Sequence, residues 1–237
     1  MELISTNPTN SGVVNTWPVH SETEVNYILC QAQEAYQSWK TTDLSFRLDC
    51  LEQLAGLLRD RSREYGTIMA AEMGKPLAQG IAEAEKCAWL CDYYGENAAA
   101  FLKLRKIDTG INNSFVTIEP IGLILGVMPW NFPFWQVFRF AVPTIIAGNG
   151  AILKHASNVQ ACANAIESVF LDAGFPMNLF RNLVIPGSRV NKVIEHSGIA
   201  GVTLTGSTPA GKAVAAKAGE CLKKTVLELG GSDPYVI

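Results

Sequence analysis

The sequence predicts a doubly wound α/β fold: a parallel sheet with helices on both faces, preceded by a helical layer. From Ile121 onward, short apolar segments alternate with segments of helical periodicity, as in repeated strand–helix units. The apolar segments show no regular polar alternation, which is typical of parallel strands buried on both sides. Before Lys103 the apolar residues recur at helical spacing instead.

The amino-terminal part, residues 1–102, is expected to form the helical layer. In its first helix, apolar residues such as Val25 and Leu29 share one face. The third helix should stop at Gly74, which suits a helix C-cap, and Pro76 prevents its continuation. The four predicted helices are Glu22–Trp39, Leu44–Leu58, Ser62–Met73 and Leu77–Leu102.

A protruding β-ribbon is predicted for the next segment, Lys103–Pro120. Turn residues occur at 110–113, and residues 115–119 alternate like a half-exposed strand. Such a ribbon can pair with another subunit. An ordinary hairpin is an equal alternative.

The remaining part, residues 121–237, is predicted to hold the parallel sheet. From Asp233 a further apolar strand is expected to begin, so the fold is expected to continue. The predicted strands are Gly122–Val127, Gly150–Lys154, Phe180–Ile185, Gly201–Thr205 and Thr225–Leu229, and the predicted helices are Phe134–Ala147, Asn158–Ala173, Ser188–His196 and Pro209–Cys221.

The composition argues against several classes of function. The chain is 48% hydrophobic and 17% charged, which suffices for a packed core and argues against disorder. A net charge of −3 gives no support for nucleic-acid binding. The most apolar segment, 121–153, is interrupted by prolines and polar residues, so no membrane span is expected.

The six cysteines are scattered along the chain, and the amino terminus has no secretory signal. A cytoplasmic location with reduced thiols is therefore expected. Cys87 and Cys91 would share one helix face and could hold a metal. Because no second Cys/His pair has ligand spacing, two packed thiols are the favoured interpretation and no metal site is predicted.

Four loops are expected at the carboxyl ends of the strands, where open parallel sheets bind ligands. One of them, Thr205–Gly211, first suggests a nucleotide P-loop. It lacks the final hydroxyl, because Ala213 stands at that position, and Pro209 removes a backbone donor. The remaining interpretation is a glycine loop that opens a helix and favours a phosphate group. A simple helix N-cap at Ser207 or Thr208 would explain half of the same pattern.

Two further residues have a chemical interpretation and a structural alternative. Asn131 lies between two prolines, where its amide can stabilise an oxyanion or satisfy loop carbonyls. Glu228 lies between leucines at a strand end, and such apolar surroundings would raise its pKa to suit a general base. Pairing of Glu228 with a lysine is equally compatible with the spacing.

Together these segments resemble the aldehyde dehydrogenase superfamily, and most closely its succinate-semialdehyde dehydrogenase branch. The helical prelude and Glu119–Gly122 match too, so the resemblance covers essentially the whole chain. The matching motifs, in the family's order, are PWNFP at 129–133, KHAS at 154–157, TGSTPAG at 205–211 and LELGGSDP at 227–234.

The resemblance implies a cysteine-dependent oxidation of an aldehyde with hydride transfer to NAD(P). It implies that Asn131 stabilises the oxyanion of the thiohemiacetal and that Glu228 activates the water that hydrolyses the thioester. Residues 121–237 would then be a truncated Rossmann-like dinucleotide-binding part. The cofactor-binding residues that it implies are Trp130, Lys154, Ser157, Gly206, Ser207, Gly211 and Leu229.

Two positions bear on specificity. Family members that prefer NAD often have Glu where this chain has Ser157, and a serine there removes repulsion of a 2′-phosphate, so NADP is predicted in preference to NAD. Arg139 follows Asn131 by two helical turns on an apolar helix. Related semialdehyde dehydrogenases use an Arg at this offset to hold the substrate's distal carboxylate, and a structural salt bridge is the alternative.

None of the cysteines matches the family's nucleophile, because Cys221 precedes Glu228 and the others lie further upstream. The catalytic domain is therefore expected to be absent from this chain, which should be inactive as a dehydrogenase. The whole enzyme is expected to be a homodimer or homotetramer that acts on a small aldehyde. The alternatives are a non-catalytic dinucleotide-binding or oligomerisation fragment, and a P-loop phosphotransferase, which Ala213 disfavours.

Overall fold

The structure is a computed structural model that describes residues 1–110 and 113–236. Its helices are α1 (Glu22–Trp39), α2 (Leu44–Asp60), α3 (Ser62–Met73), α4 (Leu77–Phe101), α5 (Trp135–Ile146), α6 (Gln160–Asp172), α7 (Val190–Glu195) and α8 (Thr208–Glu220). Its strands are β1 (Glu2–Thr6), β2 (Val13–Pro18), β3 (Arg105–Lys106), β4 (Phe115–Val116), β5 (Leu123–Met128), β6 (Gly150–His155), β7 (Phe180–Asn182), β8 (Ile199–Gly206) and β9 (Lys224–Leu229).

Strands β5 to β9 form one parallel sheet in the order β7-β6-β5-β8-β9, which confirms the predicted fold class. The chain builds outward from β5 to β7 on one side, then returns to the other side of β5 with β8. The strand order therefore reverses between β5 and β8. In sheets of this kind, a crevice opens at the carboxyl ends of the two strands that flank the reversal.

Helices cover both faces of the sheet, and each face has its own apolar core. On one face α5 and α6 lie against the strands, and α2 to α4 pack over them as the predicted helical layer. The rings of Phe138, Phe170 and Phe180 stack in succession within this core. On the other face α1, α7 and α8 bury apolar residues that include Leu29 and Val202.

The helix boundaries agree closely with the sequence pattern. Helices α1 and α3 have the predicted limits, and α2 and α4 differ from prediction only at their ends. Ser21 and Glu24 form a capping box at the start of α1. Gly74 ends α3 in the left-handed conformation, with φ of 74°, as expected of a C-cap glycine.

The chain does not begin with helix, and the prediction for residues 1–102 is wrong in this respect. Strands β1 and β2 form an antiparallel hairpin before α1. The hairpin signal was present in the sequence, because two segments rich in β-branched residues flank a cluster of Asn, Pro, Ser and Gly between Asn7 and Gly12. Ser5 of β1 is fully buried and donates a 2.5 Å hydrogen bond to Glu72 of α3, which fixes the hairpin to the helical layer.

Four smaller predictions also differ from the structure. Strand β7 has three residues instead of six, and a 3-10 helix at Gly187–Arg189 precedes the short α7. The ribbon is paired only over β3 and β4, and its predicted turn at 110–113 lies partly outside the described residues. Residues 230–236 have no regular structure, so the strand predicted from Asp233 is not formed there.

Among the residues that the structure describes, no helix combines the length and the apolar character needed to cross a membrane.

Candidate functional site

The carboxyl ends of β5, β8 and β9 meet at an open cavity of about 450 Å³. Its lining includes Trp130 and Asn131 after β5, Gly206 at the end of β8, and Glu228 and Leu229 at the end of β9. These are five of the residues predicted from the sequence. The cavity lies beside the strand-order reversal, where the fold favours ligand binding.

Strand register explains why these residues lie together. In the β5–β6–β8 part of the sheet, Val127 is paired with Lys154 on one side and Leu204 on the other. One position further along, Thr205 is paired with Glu228. Because neighbouring strands lie about 4.8 Å apart, the motifs that follow them are brought to one edge.

Asn131 is exposed at the rim of this cavity. Its side-chain Oδ1 accepts a hydrogen bond from the Phe132 backbone N–H at 3.2 Å. This contact uses the oxygen, so the NH₂ group is the end of the side chain that is left to donate to a ligand. The neighbouring Trp130 is about half exposed, at 51%, and its ring forms part of the cavity wall.

Glu228 is paired with Arg139, in line with the structural salt bridge that was the alternative interpretation of Arg139. Its carboxylate forms an ion pair with the Arg139 guanidinium and accepts a hydrogen bond of 3.2 Å from Thr205 Oγ1. The side chains of Glu228 and Arg139 are 39% and 38% exposed. The expected apolar surroundings of Glu228 are therefore wrong in this structure, and its partner is an arginine instead of a lysine.

Arg139 also lines a second cavity, of about 360 Å³, between α5 and strands β8 and β9. Gln136 lies beside it, with its Oε1 3.4 Å from the guanidinium. Glu228 and Thr205 line both cavities, so they form the boundary between them. The Arg139 guanidinium in one cavity and the Asn131 amide in the other are thus separated by the Glu228 carboxylate.

Lys154 is buried at the end of β6, with 8% of its surface exposed. Burial lowers the pKa of its ammonium group from its usual value. Within the described part of the chain, no carboxylate forms an ion pair with it. A buried cation without a counter-ion favours binding of an anionic or hydroxyl-rich ligand. Ser157 is half-buried in the loop that follows.

The three glycine-loop residues have different surroundings. A methyl group added at Gly206 would contact only Leu204 at 3.6 Å, so the protein's own packing leaves space there. Ser207 is the N-cap of α8, and its hydroxyl accepts from the Ala210 N–H at 3.4 Å. Gly211 is buried, and an added methyl group would lie 2.4 Å from Leu229, so this glycine serves close helix–strand packing.

Three ionisable residues that were not predicted from the sequence contact the loop of residues 129–133, which carries Asn131, or the start of α5 that follows it. His155 is fully buried and lies 2.9 Å from the Pro133 carbonyl through Nε2. Its Nδ1 accepts from the Ala156 N–H at 3.0 Å, which makes Nε2 the protonated nitrogen. Glu83 and Lys75 form a buried ion pair on the α4 side of the same loop. Only His155 lies inside a recognised motif, so no local signal identified the other two.

Among the described residues, no cysteine lines the cavity. Cys87, Cys91 and Cys162 are buried in the helical layer and α6, and burial raises the pKa of each thiol. Cys221 is the C-cap of α8, about 20 Å along that helix from the loop that carries Ser207. Within residues 1–110 and 113–236, no group of three or more His, Cys, Asp or Glu side chains is arranged to hold a metal.

A parallel sheet in this order, with a glycine turn opening a helix beside the strand-order reversal, defines the class of dinucleotide-binding α/β proteins. The chain belongs to the aldehyde dehydrogenase family: the model of that family matches residues 2–237.

The chain is 45% identical over its whole length to a protein of Synechocystis sp. described as a probable NADP(+) succinate-semialdehyde dehydrogenase, and covers 52% of it. It is 43% identical over 99% of its length to the NAD(P)+ succinate semialdehyde dehydrogenase Sad of Escherichia coli, and covers 51% of it. The chain therefore spans about half the length of the curated relatives it matches.

A solved succinic semialdehyde dehydrogenase of Streptococcus pyogenes, in complex with NADP+, superposes with a TM-score of 0.94 at 35% identity. The match covers 98% of this chain and 51% of that one. The agreement extends over nearly the whole of this chain, so it supports the fold as well as the family.

Proposed function

We propose that this chain is the cofactor-binding part of an NAD(P)-dependent aldehyde dehydrogenase that oxidises succinate semialdehyde to its carboxylate and prefers NADP. The observation that carries the proposal is the single cavity in which Asn131, Glu228 and Gly206 meet at the carboxyl ends of the sheet strands. The names of the relatives from Synechocystis sp. and E. coli support the substrate. The S. pyogenes complex supports the cofactor.

Lys154, Ser157, Gly206 and Ser207 are proposed to hold the dinucleotide. The buried ammonium group of Lys154 suits the adenosine ribose hydroxyls, and the open space at Gly206 allows a pyrophosphate to approach the backbone. Trp130 and the Leu229 backbone would lie at its phosphate and nicotinamide ends. Gly211 would contribute indirectly, by allowing α8 to pack against β9.

Asn131 and Glu228 are proposed to carry the protein's part of the chemistry. The Asn131 NH₂ group would donate to the oxyanion that forms when a thiolate attacks the aldehyde. Glu228 would later remove a proton from the water that attacks the thioester. A bound nicotinamide would supply the hydride acceptor. None of the six cysteines belongs to the lining of this cavity, so the 237 residues are proposed to have no dehydrogenase activity of their own.

Arg139 is proposed to bind the distal carboxylate of the substrate. Because its guanidinium is already paired with Glu228, an anionic substrate would replace one carboxylate by another and free Glu228 for its role as a base. Both side chains are more than one-third exposed, so solvent screens their attraction and the exchange is feasible.

Cofactor binding tests the proposal directly. Isothermal titration of the chain should give a lower Kd for NADP than for NAD, because Ser157 presents no negative charge to the 2′-phosphate. Ser157→Glu should weaken NADP binding by roughly tenfold or more through like-charge repulsion. Ser168→Glu, on the exposed surface of α6, is the matched control and should change neither affinity.

Equal or weaker affinity for NADP would refute the cofactor preference, and failure to bind either dinucleotide would refute the proposed function. The same preparation, mixed with succinate semialdehyde and NADP, should produce no NADPH. Production of NADPH that a thiol-alkylating reagent abolishes would overturn the assignment of the nucleophile to residues outside this chain.

Substrate recognition is tested in the whole protein. Arg139→Ala should raise KM for succinate semialdehyde by about tenfold to a hundredfold, since a charged hydrogen-bonded pair contributes roughly 1.5–3 kcal/mol. The KM for an uncharged aldehyde should change little. Arg63→Ala, on the exposed surface of α3, is the control. An equal rise in KM for both aldehydes would show that Arg139 has only a structural role.

We also propose that the whole protein is a homodimer or homotetramer and that the ribbon of β3 and β4, within 103–120, is the contact between subunits. Phe115 and Ile118 are 56% and 52% exposed on this ribbon, and exposed apolar side chains of this kind favour association. Under this proposal, residues 1–102 and 121–237 form the cofactor-binding body from which the ribbon projects.

A further inference from the structure

We infer that Lys75, Glu83 and His155 form a positioning clamp that fixes the orientation of Asn131. They are positioning residues, because none of them reaches the cavity. The inference rests on the proposed role of Asn131 as an oxyanion donor, and it assigns a purpose to three buried ionisable side chains that the proposed chemistry does not use.

Glu83 holds the carboxyl-terminal end of the loop. This residue of α4 is 4% exposed, and its Oε1 accepts from the backbone N–H groups of Phe134 and Trp135 at 2.9 and 3.0 Å. These two groups belong to the first turn of α5, where N–H groups have no partner within the helix. A carboxylate is the strongest acceptor for them, because it also interacts favourably with the helix dipole.

Lys75 neutralises the buried charge of Glu83 and also contacts the loop directly. Its ammonium group pairs with Glu83 Oε2 and lies 3.9 Å from the centroid of the Phe132 ring. Lys75 is 8% exposed, whereas Phe132, immediately after Asn131, is 46% exposed. The cation–π contact therefore ties an exposed ring to a buried charge, and it fixes the residue whose N–H orients the Asn131 side chain.

His155 holds the loop from the side of the sheet. Its Nε2 donates to the Pro133 carbonyl at 2.9 Å, and Nδ1 lies 3.2 Å from the Met128 carbonyl. Because Nδ1 accepts from the Ala156 N–H, it has no proton to donate to Met128, and the Pro133 contact is the one that holds the loop. The loop is thus held at its carboxyl-terminal end and at Phe132 by groups that are themselves buried. Such support is what a donor needs if it must not reorganise during reaction.

Hydrogen exchange of the loop amides tests the clamp without any cofactor. In Glu83→Gln, exchange of the Phe132, Phe134 and Trp135 amides, which donate hydrogen bonds in the native chain, should accelerate at least about tenfold. Glu85→Gln changes an exposed carboxylate two residues away on the same helix, and it should leave these rates unchanged. Lys86→Met is the matched control for Lys75→Met, because Lys86 stacks on Trp135 from the exposed side of α4.

The double variant Lys75→Met/Glu83→Gln separates positioning from stability. It leaves no uncompensated buried charge, so its Tm should recover most of the loss seen in Glu83→Gln. The loop amides should nevertheless still exchange fast, because both the charged acceptor and the cation are gone. Native exchange rates in the double variant would overturn the inference, since charge compensation alone would then explain the pair.

In the whole protein, the double variant should lower kcat for aldehyde oxidation about tenfold while KM for NADP is unchanged. Fast loop exchange with a native kcat would also overturn the inference. Failure of the native chain to bind NADP would contradict the proposed function and leave the exchange result standing, so the two failures are distinguishable.

Discussion

His155 illustrates how much one buried side chain can control. Burial lowers its pKa to about 4 from a usual value of 6.5, although its contacts with the Pro133 and Met128 carbonyls act in the opposite direction. Below about pH 6.5 the unfolded chain takes up a proton at this residue that the folded protein refuses. The folded state therefore loses stability as the pH falls from about 6.5 to about 4, by on the order of 3 kcal/mol.

His155→Gln should remove most of this pH dependence, because glutamine can donate to the Pro133 carbonyl and does not titrate. We expect the slope of Tm against pH between pH 7 and 5 to be flatter in this variant than in the native chain. Burial also lowers the pKa of His196, which is partly exposed, so His196→Gln should have a smaller effect in the same direction. An unchanged slope in His155→Gln would contradict the assignment.

At the scale of residues, the sequence predicts several side chains that line the cavity but not the buried side chains that support them. Asn131, Gly206 and Glu228 are predicted because each lies at or just beyond the carboxyl end of a strand with an apolar sequence. The Arg139–Glu228 ion pair joins residues 89 positions apart, and Glu83 contacts an amide 51 positions away. Contacts of that range leave no periodic signal, so they appear only once the chain is folded.

At the scale of elements, α3 and α4 approach each other through glycine. A methyl group added at Gly80 would lie 2.7 Å from the Gly66 Cα atom, and one added at Gly66 would lie 2.9 Å from the Ile81 backbone nitrogen. Backbone atoms cannot move aside as a flexible side chain can. The two helices can therefore stay at this distance only if both positions lack a side chain.

Gly80→Ala should lower the free energy of unfolding by about 1–3 kcal/mol through overpacking. Gly95→Ala is the matched control on the same helix. No atom lies within 4 Å of an added methyl group there, so it should raise stability by roughly 0.5–1 kcal/mol through helix propensity. Urea denaturation of both variants measures the difference, and a neutral Gly80→Ala would show that the crossing can relax.

Local signals decided which elements were predicted correctly. Helix α3 was predicted to the residue because Gly74 and Pro76 mark its end by their own backbone preferences. The sequence predicts too long a strand β7, because Leu183 to Ile185 are apolar and buried but do not belong to the strand. Burial and strand pairing give the same apolar signal, and only the partner strand distinguishes them.

At the scale of the whole molecule, the exposed apolar side chains of the ribbon predict that the native chain associates with itself. We expect sedimentation equilibrium to show self-association that Phe115→Asp weakens, because a charge at that position opposes burial of the ribbon. Met177→Asp, at a loop residue that is 69% exposed, is the control and should leave the mass distribution unchanged. If the native chain is monomeric, the ribbon alone does not support self-association of these 237 residues.

The hydrogen-bonded connection from the first strand to the middle of the chain has a consequence for synthesis. Trp17 donates to Ser5, Ser5 donates to Glu72, and Glu72 accepts from the amides of Ala161 and Cys162 at the start of α6. Ser5 thus has its partner as soon as Glu72 is made, whereas Glu72 receives its last two donors only after residue 162 has left the ribosome. At about 5–20 residues per second, Glu72 waits roughly 5 to 20 s for these amides. The carboxylate that anchors the earliest segment is therefore completed only when α6 begins to form.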